Sequence, residues 1–210
     1  MKITQREPEV FVVDDDEAVR NSLRLLLKSL GMPAVTLGSA EEFLAGYDPE
    51  QPGCIVLDVR MPGMTGPELQ DELNRRGAII PVIFITGHGD VPMAVEAMQH
   101  GAVDFLQKPF SDRDLTDRIQ RALSADHRNR ALLGEKDQIR ARMAMLTPRE
   151  RQVLELVTRG KSNKVIAGDL GVSQRTVEIH RAHVTEKMGA TSLAHLVRMT
   201  IIAGIGTSTY

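Results

Sequence analysis

The chain has 210 residues, of which 42% are hydrophobic and 26% charged, and its one cysteine, Cys54, excludes an intrachain disulfide framework. The N-terminus, MKITQREPEV, is polar, and no apolar run approaches the ~18 residues that span a bilayer, so a cytoplasmic protein with no membrane partner is expected. The near-neutral total hides a split: residues 1–124 carry 12 Lys/Arg and 20 Asp/Glu, a net of −8, whereas residues 125–210 carry 14 and 8, a net of +6. Such asymmetry predicts two domains with different partners, and the basic half is compatible with nucleic acid.

In chain order, EVFVVDD (9–15), PAVTL (33–37), CIVLD (54–58), PVIFIT (81–86) and AVDFLQ (102–107) read as short strands. Leu23, Leu26, Leu27 and Leu30 repeat at helical spacing. Ser39 with Glu42, Thr65 with Glu68, and Ser111 with Asp114 each set a capping oxygen three residues before an acid, which marks helix starts. Five β–α units over residues 8–123 predict an α/β domain whose parallel sheet is covered on both faces, hence the continuous apolar strands. Cys54 in such a strand is expected to be a core thiol. Residues 124–142 are charged, lack strand signals and predict a helical linker, in which Gly134 weakens the case for one unbroken helix. Residues 143–208 predict an all-helical domain of four helices, at about 148–158, 163–169, 173–188 and 191–203. The first opens with Thr147-Pro148-Arg149-Glu150, a cap, a proline and an acid, and Gly160 and Gly171 mark connections.

Ligands of an open parallel sheet sit outside the carboxyl ends of its strands. Asp14 and Asp15 end the first strand, Asp58 the third and Thr86 the fourth, and Lys108 follows the fifth, so all five converge on one edge. Clustered carboxylates raise one another's pKa unless a cation joins them, and a hard divalent ion such as Mg2+ suits oxygen ligands. Asp58 can then act as a covalent nucleophile toward a phosphoryl group, with Lys108 and the Thr86 hydroxyl on the phosphoryl oxygens. His88 has no second His or Cys at ligand spacing and reads as a loop residue.

These motifs, VVDDD, LDVRMPGMTG, ITGHGD and FLQKPF, in this order and spacing, make residues 9–121 resemble the receiver domain of two-component response regulators. ITGHGDVPMAVEAM and GAVDFLQKPF look closest to the FixJ-type subgroup. The resemblance implies a flavodoxin-like (βα)5 fold with strand order 2-1-3-4-5. It implies that Asp58 is the phosphoacceptor, that Asp15, Asp58 and the backbone carbonyl of Arg60 bind Mg2+, and that Asp14 acts through a metal-bound water. It further implies that Lys108 senses the phosphate, that Lys108–Pro109 is cis, and that Thr86 and Phe105 move on phosphorylation. Phe105 stands where many receivers have Tyr. The face of helix 90–99, strand 102–106 and helix 111–123 is then the expected dimerisation surface.

The segment from Leu146 to Val197 resembles the LuxR/FixJ-type helix-turn-helix, with Thr147, Glu150, Gly160, Ile166, Ala167, Val172, Thr176, Val177, His180 and Lys187 among the matching positions. Such a motif lays its second helix, here about 173–188, in the major groove. Val177, Val184 and Met188 fall on one stripe and are assigned to the core. Glu178, Ile179 and Ala182 are groove-facing candidates, and Lys161, Lys164, Arg175, Thr176, Arg181 and Lys187 are phosphate candidates. In the last helix Leu193, Leu196, Val197, Thr200 and Ile201 form an amphipathic stripe. Its expected role is packing on the helical core, and the family also uses it to pair two DNA-binding domains.

The expectation for the whole chain is a response regulator of the FixJ/NarL type. A sensor histidine kinase phosphorylates Asp58, a homodimer forms, promoter DNA is bound and RNA polymerase is engaged. Two other functions compete with this expectation. A phosphohydrolase with an aspartyl-phosphate intermediate lacks a second acid, because the triplet is Asp58-Val59-Arg60. A DNA-binding protein signalling without phosphate has no need of Asp15, Asp58, Thr86 and Lys108 together. No enzymatic turnover beyond slow self-dephosphorylation is expected.

Overall fold

The computed structural model describes residues 6–87 and 98–204. His88 and most of the helix expected at 90–99 lie outside the described residues. The chain forms two compact units, Met1–Arg130 and Ala131–Tyr210.

In the first unit, β1 (Glu9–Val13), β2 (Ala34–Leu37), β3 (Gly53–Asp58), β4 (Val82–Thr86) and β5 (Asp104–Gln107) form one parallel sheet in the order β2-β1-β3-β4-β5. Among the described residues its helices include α1 (Glu17–Ser29), α2 (Ala40–Gly46), α3 (Gly66–Arg75) and the start of α4 (Asp112–Ala144). The strand period of two sorts the core. Ile55, Leu57, Val82 and Phe84 pack with Phe43 of α2 and Leu69 and Leu73 of α3. Cys54, Val56, Ile83 and Ile85 point the other way and pack with Leu23 and Leu27 of α1 and Leu115 and Ile119 of α4. Both faces are dry, which is why β3 reads as one apolar run and is buried at all six positions.

The three expected caps hold: the Ser39, Thr65 and Ser111 hydroxyls accept from the backbone N–H of Glu42, Thr65's partner Glu68, and Asp114. Two details differ from the sequence reading. β1 stops at Val13, so Asp14 and Asp15 lie just past the strand, and Asp16 caps α1 by accepting from Ala18 and Val19. Leu30 does not join the apolar face of α1; the helix ends at Ser29, and Leu30 is its exposed C-cap.

α4 runs unbroken through Gly134, whose neighbours include the strong helix formers Leu132, Leu133 and Glu135. The stretch expected to be a linker is taken up from both ends. Asp126 and Arg130 bond to the first unit, and Ile139 and Met143 belong to the core of the second.

The second unit contains α5 (Pro148–Thr158), α6 (Asn163–Leu170), α7 (Gln174–Met188) and α8 (Leu193–Ile202). Each starts on a hydroxyl cap, at Thr147, Ser162, Ser173 and Ser192, and Thr147 completes a capping box with Glu150. α6 and α7 end on Gly171 and Gly189 in the left-handed conformation (φ 64° and 63°). The core joins Val153, Leu154, Ile166, Val177, Val184, Met188, Leu196 and Met199. The expected stripe on α8 divides: Leu196 and Thr200 are buried beside Met199, whereas Leu193 and Ile201 are 49% and 60% exposed.

Candidate functional site

At the carboxyl edge of the sheet, β3 delivers Asp58, β4 delivers Thr86, and the turns after β1 and β5 deliver Asp14, Asp15 and Lys108. Parallel pairing of β3 with β1 and β4 makes this convergence unavoidable, since all three strands end together. Lys108 Nζ donates to Asp14 Oδ2 at 2.9 Å and to Asp58 Oδ1 at 2.8 Å. The second oxygen of each acid is also held: Asp14 Oδ1 accepts from Asp16 N at 2.9 Å, and Asp58 Oδ2 accepts from Arg60 N at 2.8 Å. Lys108 N donates to Thr86 O at 2.7 Å, which ties the ends of β4 and β5. The Lys108–Pro109 bond is cis. Thr86 is buried, and Phe105 is half-buried against the sheet face that carries α2 and α3.

The electrostatics are unbalanced. Burial pushes the Asp14 carboxyl above its ordinary range, and the Lys108 hydrogen bond only partly opposes this. Burial alone would lower Lys108, yet its bonds to Asp58 and Asp14 outweigh it and hold the ammonium above its usual value. Asp15 is exposed and has no ion-pair partner among the described residues. One ammonium therefore serves three carboxylates and touches two.

Arg20 and Gly66 are parts of the site that the sequence did not single out. Arg20 Nη1 donates to the backbone carbonyls of Asp14 and Asp15 at 2.7 and 2.9 Å, fixing the turn that aims both acids. Gly66, at the start of α3, leaves no room for a side chain: a Cβ there would lie 2.4 Å from Asp58 O and 2.9 Å from the Phe84 ring.

In the second unit α7 buries Val177, Val184 and Met188 and exposes Glu178, Ile179 and Ala182, as its spacing predicts. The basic candidates are less uniform. Lys164 is exposed, and the Arg175 side chain is 83% exposed beside Glu178 at 3.7 Å. Thr176 shares a hydroxyl contact with Ser173. Lys161 pairs with Asp169 at 2.7 Å, and Arg181 donates to Asn163 Oδ1 at 2.6 Å. Lys187 is committed to the buried Glu150 at 2.7 Å, and that bond holds the Glu150 carboxyl at about 2. Its role in this structure is an internal ion pair.

Comparison with known proteins agrees with both halves. Residues 10–120 match the family described as response regulator receiver domain, and residues 144–200 match bacterial regulatory proteins, luxR family. The chain is 50% identical over 196 residues to the transcriptional regulatory protein FixJ of Azorhizobium caulinodans, covering 93% of each chain. It is 46% identical to nodulation protein W of Bradyrhizobium diazoefficiens over 95% of this chain and 88% of that one. The solved structure of the response regulator StyR superposes with a TM-score of 0.82 at 47% identity, covering 93% of this chain and 98% of that one. The apolar strand that ends on Asp58 and the capped helices that follow it thus belong to a FixJ-like two-component response regulator, with a receiver domain and a LuxR-type DNA-binding domain.

Proposed function

We propose that Asp58 accepts a phosphoryl group from the phosphohistidine of a sensor kinase, and that this converts the protein into a dimer that binds promoter DNA and engages RNA polymerase. The observation that carries the reading is the bridge of Lys108 between Asp14 and Asp58. It aims an ammonium at the Asp58 oxygens, where an added phosphate would need a cation. In the transfer an Asp58 carboxylate oxygen forms the new P–O bond, the P–N bond breaks, and its electron pair returns to the kinase imidazole.

The oxygen-only donor set, with a buried acid raised by desolvation and an unpaired acid beside it, fits a hard divalent cation. Asp15, Asp58 and the Arg60 carbonyl would hold Mg2+ directly, and Asp14 through water. When bound, Mg2+ supplies charge neutralisation for the phosphoryl oxygens. Lys108 then exchanges carboxylate for phosphate oxygens, and Thr86 turns its hydroxyl toward them. Phe105 follows inward, favoured by burial alone because its ring has no hydroxyl. These differential contacts are what bias the receiver toward its active arrangement. The dimer face would include β5 and the first turns of α4. In the second unit α7 enters the major groove, with Glu178, Ile179 and Ala182 toward base edges and Arg175, Thr176 and Lys164 toward phosphates.

The test is intact mass after incubation with acetyl phosphate and Mg2+, with Asp58→Asn alongside and sedimentation of both. One phosphate on the wild type only, with dimerisation, supports the reading. An adduct retained in Asp58→Asn, or a phosphorylated protein that stays monomeric and does not bind DNA more tightly, refutes it. Turnover of small phosphate esters beyond slow self-dephosphorylation would point instead to a hydrolase.

A further inference from the structure

α7 carries two histidines three residues apart, His180 and His183, and residues at that spacing share a helix face. The face is met by Glu150, the third residue of α5, because the two helices share the core of Val153, Leu154, Val177 and Val184. One imidazole nitrogen of each histidine and one carboxylate oxygen of Glu150 lie within 4.8 Å of one another.

We propose that Glu150, His180 and His183 form a binding site for a borderline transition-metal ion, with Zn2+ the preferred occupant. Three features of the cluster support it. Glu150 Oε2 is already held, by Thr147 N at 2.9 Å and Lys187 Nζ at 2.7 Å. That leaves Oε1 facing His183 Nδ1 at 3.6 Å, a separation too long for a hydrogen bond. His180 Nδ1 is buried and has no hydrogen-bond partner, an arrangement that a buried ring nitrogen rarely tolerates. The anchored Oε2 also fixes the carboxylate plane, as outer partners do in known metal sites.

The chemistry selects the ion. Two imidazoles and one carboxylate suit Zn2+ and its neighbours, whereas Mg2+ and Ca2+ prefer oxygen ligands. Bonds of ~2.1 Å in a tetrahedron place ligand atoms roughly 3.4 Å apart, so no pair in the cluster needs to close by more than about 1.4 Å. His183, whose side chain is half exposed, has the freedom to do so. Three protein ligands leave the fourth position to water. Bound metal would pin the first turn of α5 to the middle of the helix that presents Glu178 and Ile179. The site is independent of Asp58 and of the receiver chemistry.

The experiment is calorimetric titration of the full chain with Zn2+ in excess Mg2+, which occupies carboxylate-only sites. Co2+ serves as a second probe, read by its visible absorption. Variants are His183→Ala, His180→Ala and, as a control elsewhere on the same unit, His195→Ala. The expected result is one equivalent of Zn2+ on the wild type and on His195→Ala, a tetrahedral Co2+ spectrum, and a metal-dependent rise in melting temperature. His183→Ala, an exposed position that leaves the fold intact, should weaken binding by more than roughly tenfold, the least that loss of a mere orienting residue costs. Failure of the wild type to take up Zn2+, or equal binding by His183→Ala, overturns the proposal.

Discussion

Asp126→Ala is expected to be among the most damaging single substitutions in the first unit, although Asp126 lies in α4, beyond the matched receiver segment. Its carboxylate is almost fully buried, accepts from Gly53 N at 3.0 Å, and receives both of its oxygens' contacts from Arg130 Nε at 3.0 and 2.8 Å. Arg130 in turn reaches Pro49 O and Gln51 O at 2.7 and 2.8 Å. Removing the carboxylate strands a buried Gly53 N–H, at about 1–3 kcal/mol. It also leaves a guanidinium without its counter-ion, which for a buried pair costs about 3–5 kcal/mol. The Arg130 side chain keeps 21% exposure and its two carbonyl partners, so that second cost is only partly realised. The expected total is about 3–4 kcal/mol, against the roughly 5–15 kcal/mol that stabilises an ordinary domain. Cys54 offers a probe confined to this unit, since it is the only cysteine and lies buried in the sheet. Thiol labelling across a urea series should place the midpoint of Asp126→Ala lower by about 1–4 M. Arg130→Met added to Asp126→Ala should recover part of the loss, because the stranded charge is gone. A midpoint for Asp126→Ala that matches wild type would refute the reasoning.

Gly66→Ala should destabilise the first unit by about 1–3 kcal/mol in the same labelling assay, because its Cβ meets the fixed Asp58 carbonyl rather than a movable side chain. Burial pushes the Cys54 thiol from 9.0 up to about 12, so near pH ~8 the native protein should react with a disulfide reagent at least about a thousandfold more slowly than unfolded chain, before steric protection is counted. The sign follows for stability as well: the folded thiol holds its proton longer, so this contribution is present below pH 9.0 and is lost as the pH rises toward about 12, which alkaline urea titrations would detect. In the second unit, Met188→Ala should cost about 2–5 kcal/mol by opening a cavity at a fully buried site, whereas Ile179→Ala, 46% exposed, should stay within about 0.5 kcal/mol by thermal melting.

Local signals carried most of what the sequence foretold. The acids that close the runs of β1 and β3 marked the ends of those two strands, and the strand period with dry faces on both sides explained the runs. Hydroxyl-to-acid spacing located the starts of α2, α3 and α5 because a cap acts over three residues. What escaped was set by distance. Gly53 and Asp126 are 73 residues apart, and nothing near either one announces the other. The Lys187–Glu150 ion pair was not foreseen, because Glu150 lies 37 residues upstream and was already explained as a cap. Ile139 and Met143, four apart in a charged segment, were a faint sign that the second unit's core begins inside α4. The spacing of His180 and His183 was equally visible, but only packing supplies the third ligand.

Glu150 closes the capping box of α5 and also receives Lys187 from the last turn of α7. Opening either helix end strands the partner groups of the other. Fraying should therefore not be local: the amides of the first turn of α5 and the last turn of α7 should exchange with solvent at matched rates, as one cooperative unit. Acetylation of Lys187, which removes its charge, would then loosen a helix start far away in sequence.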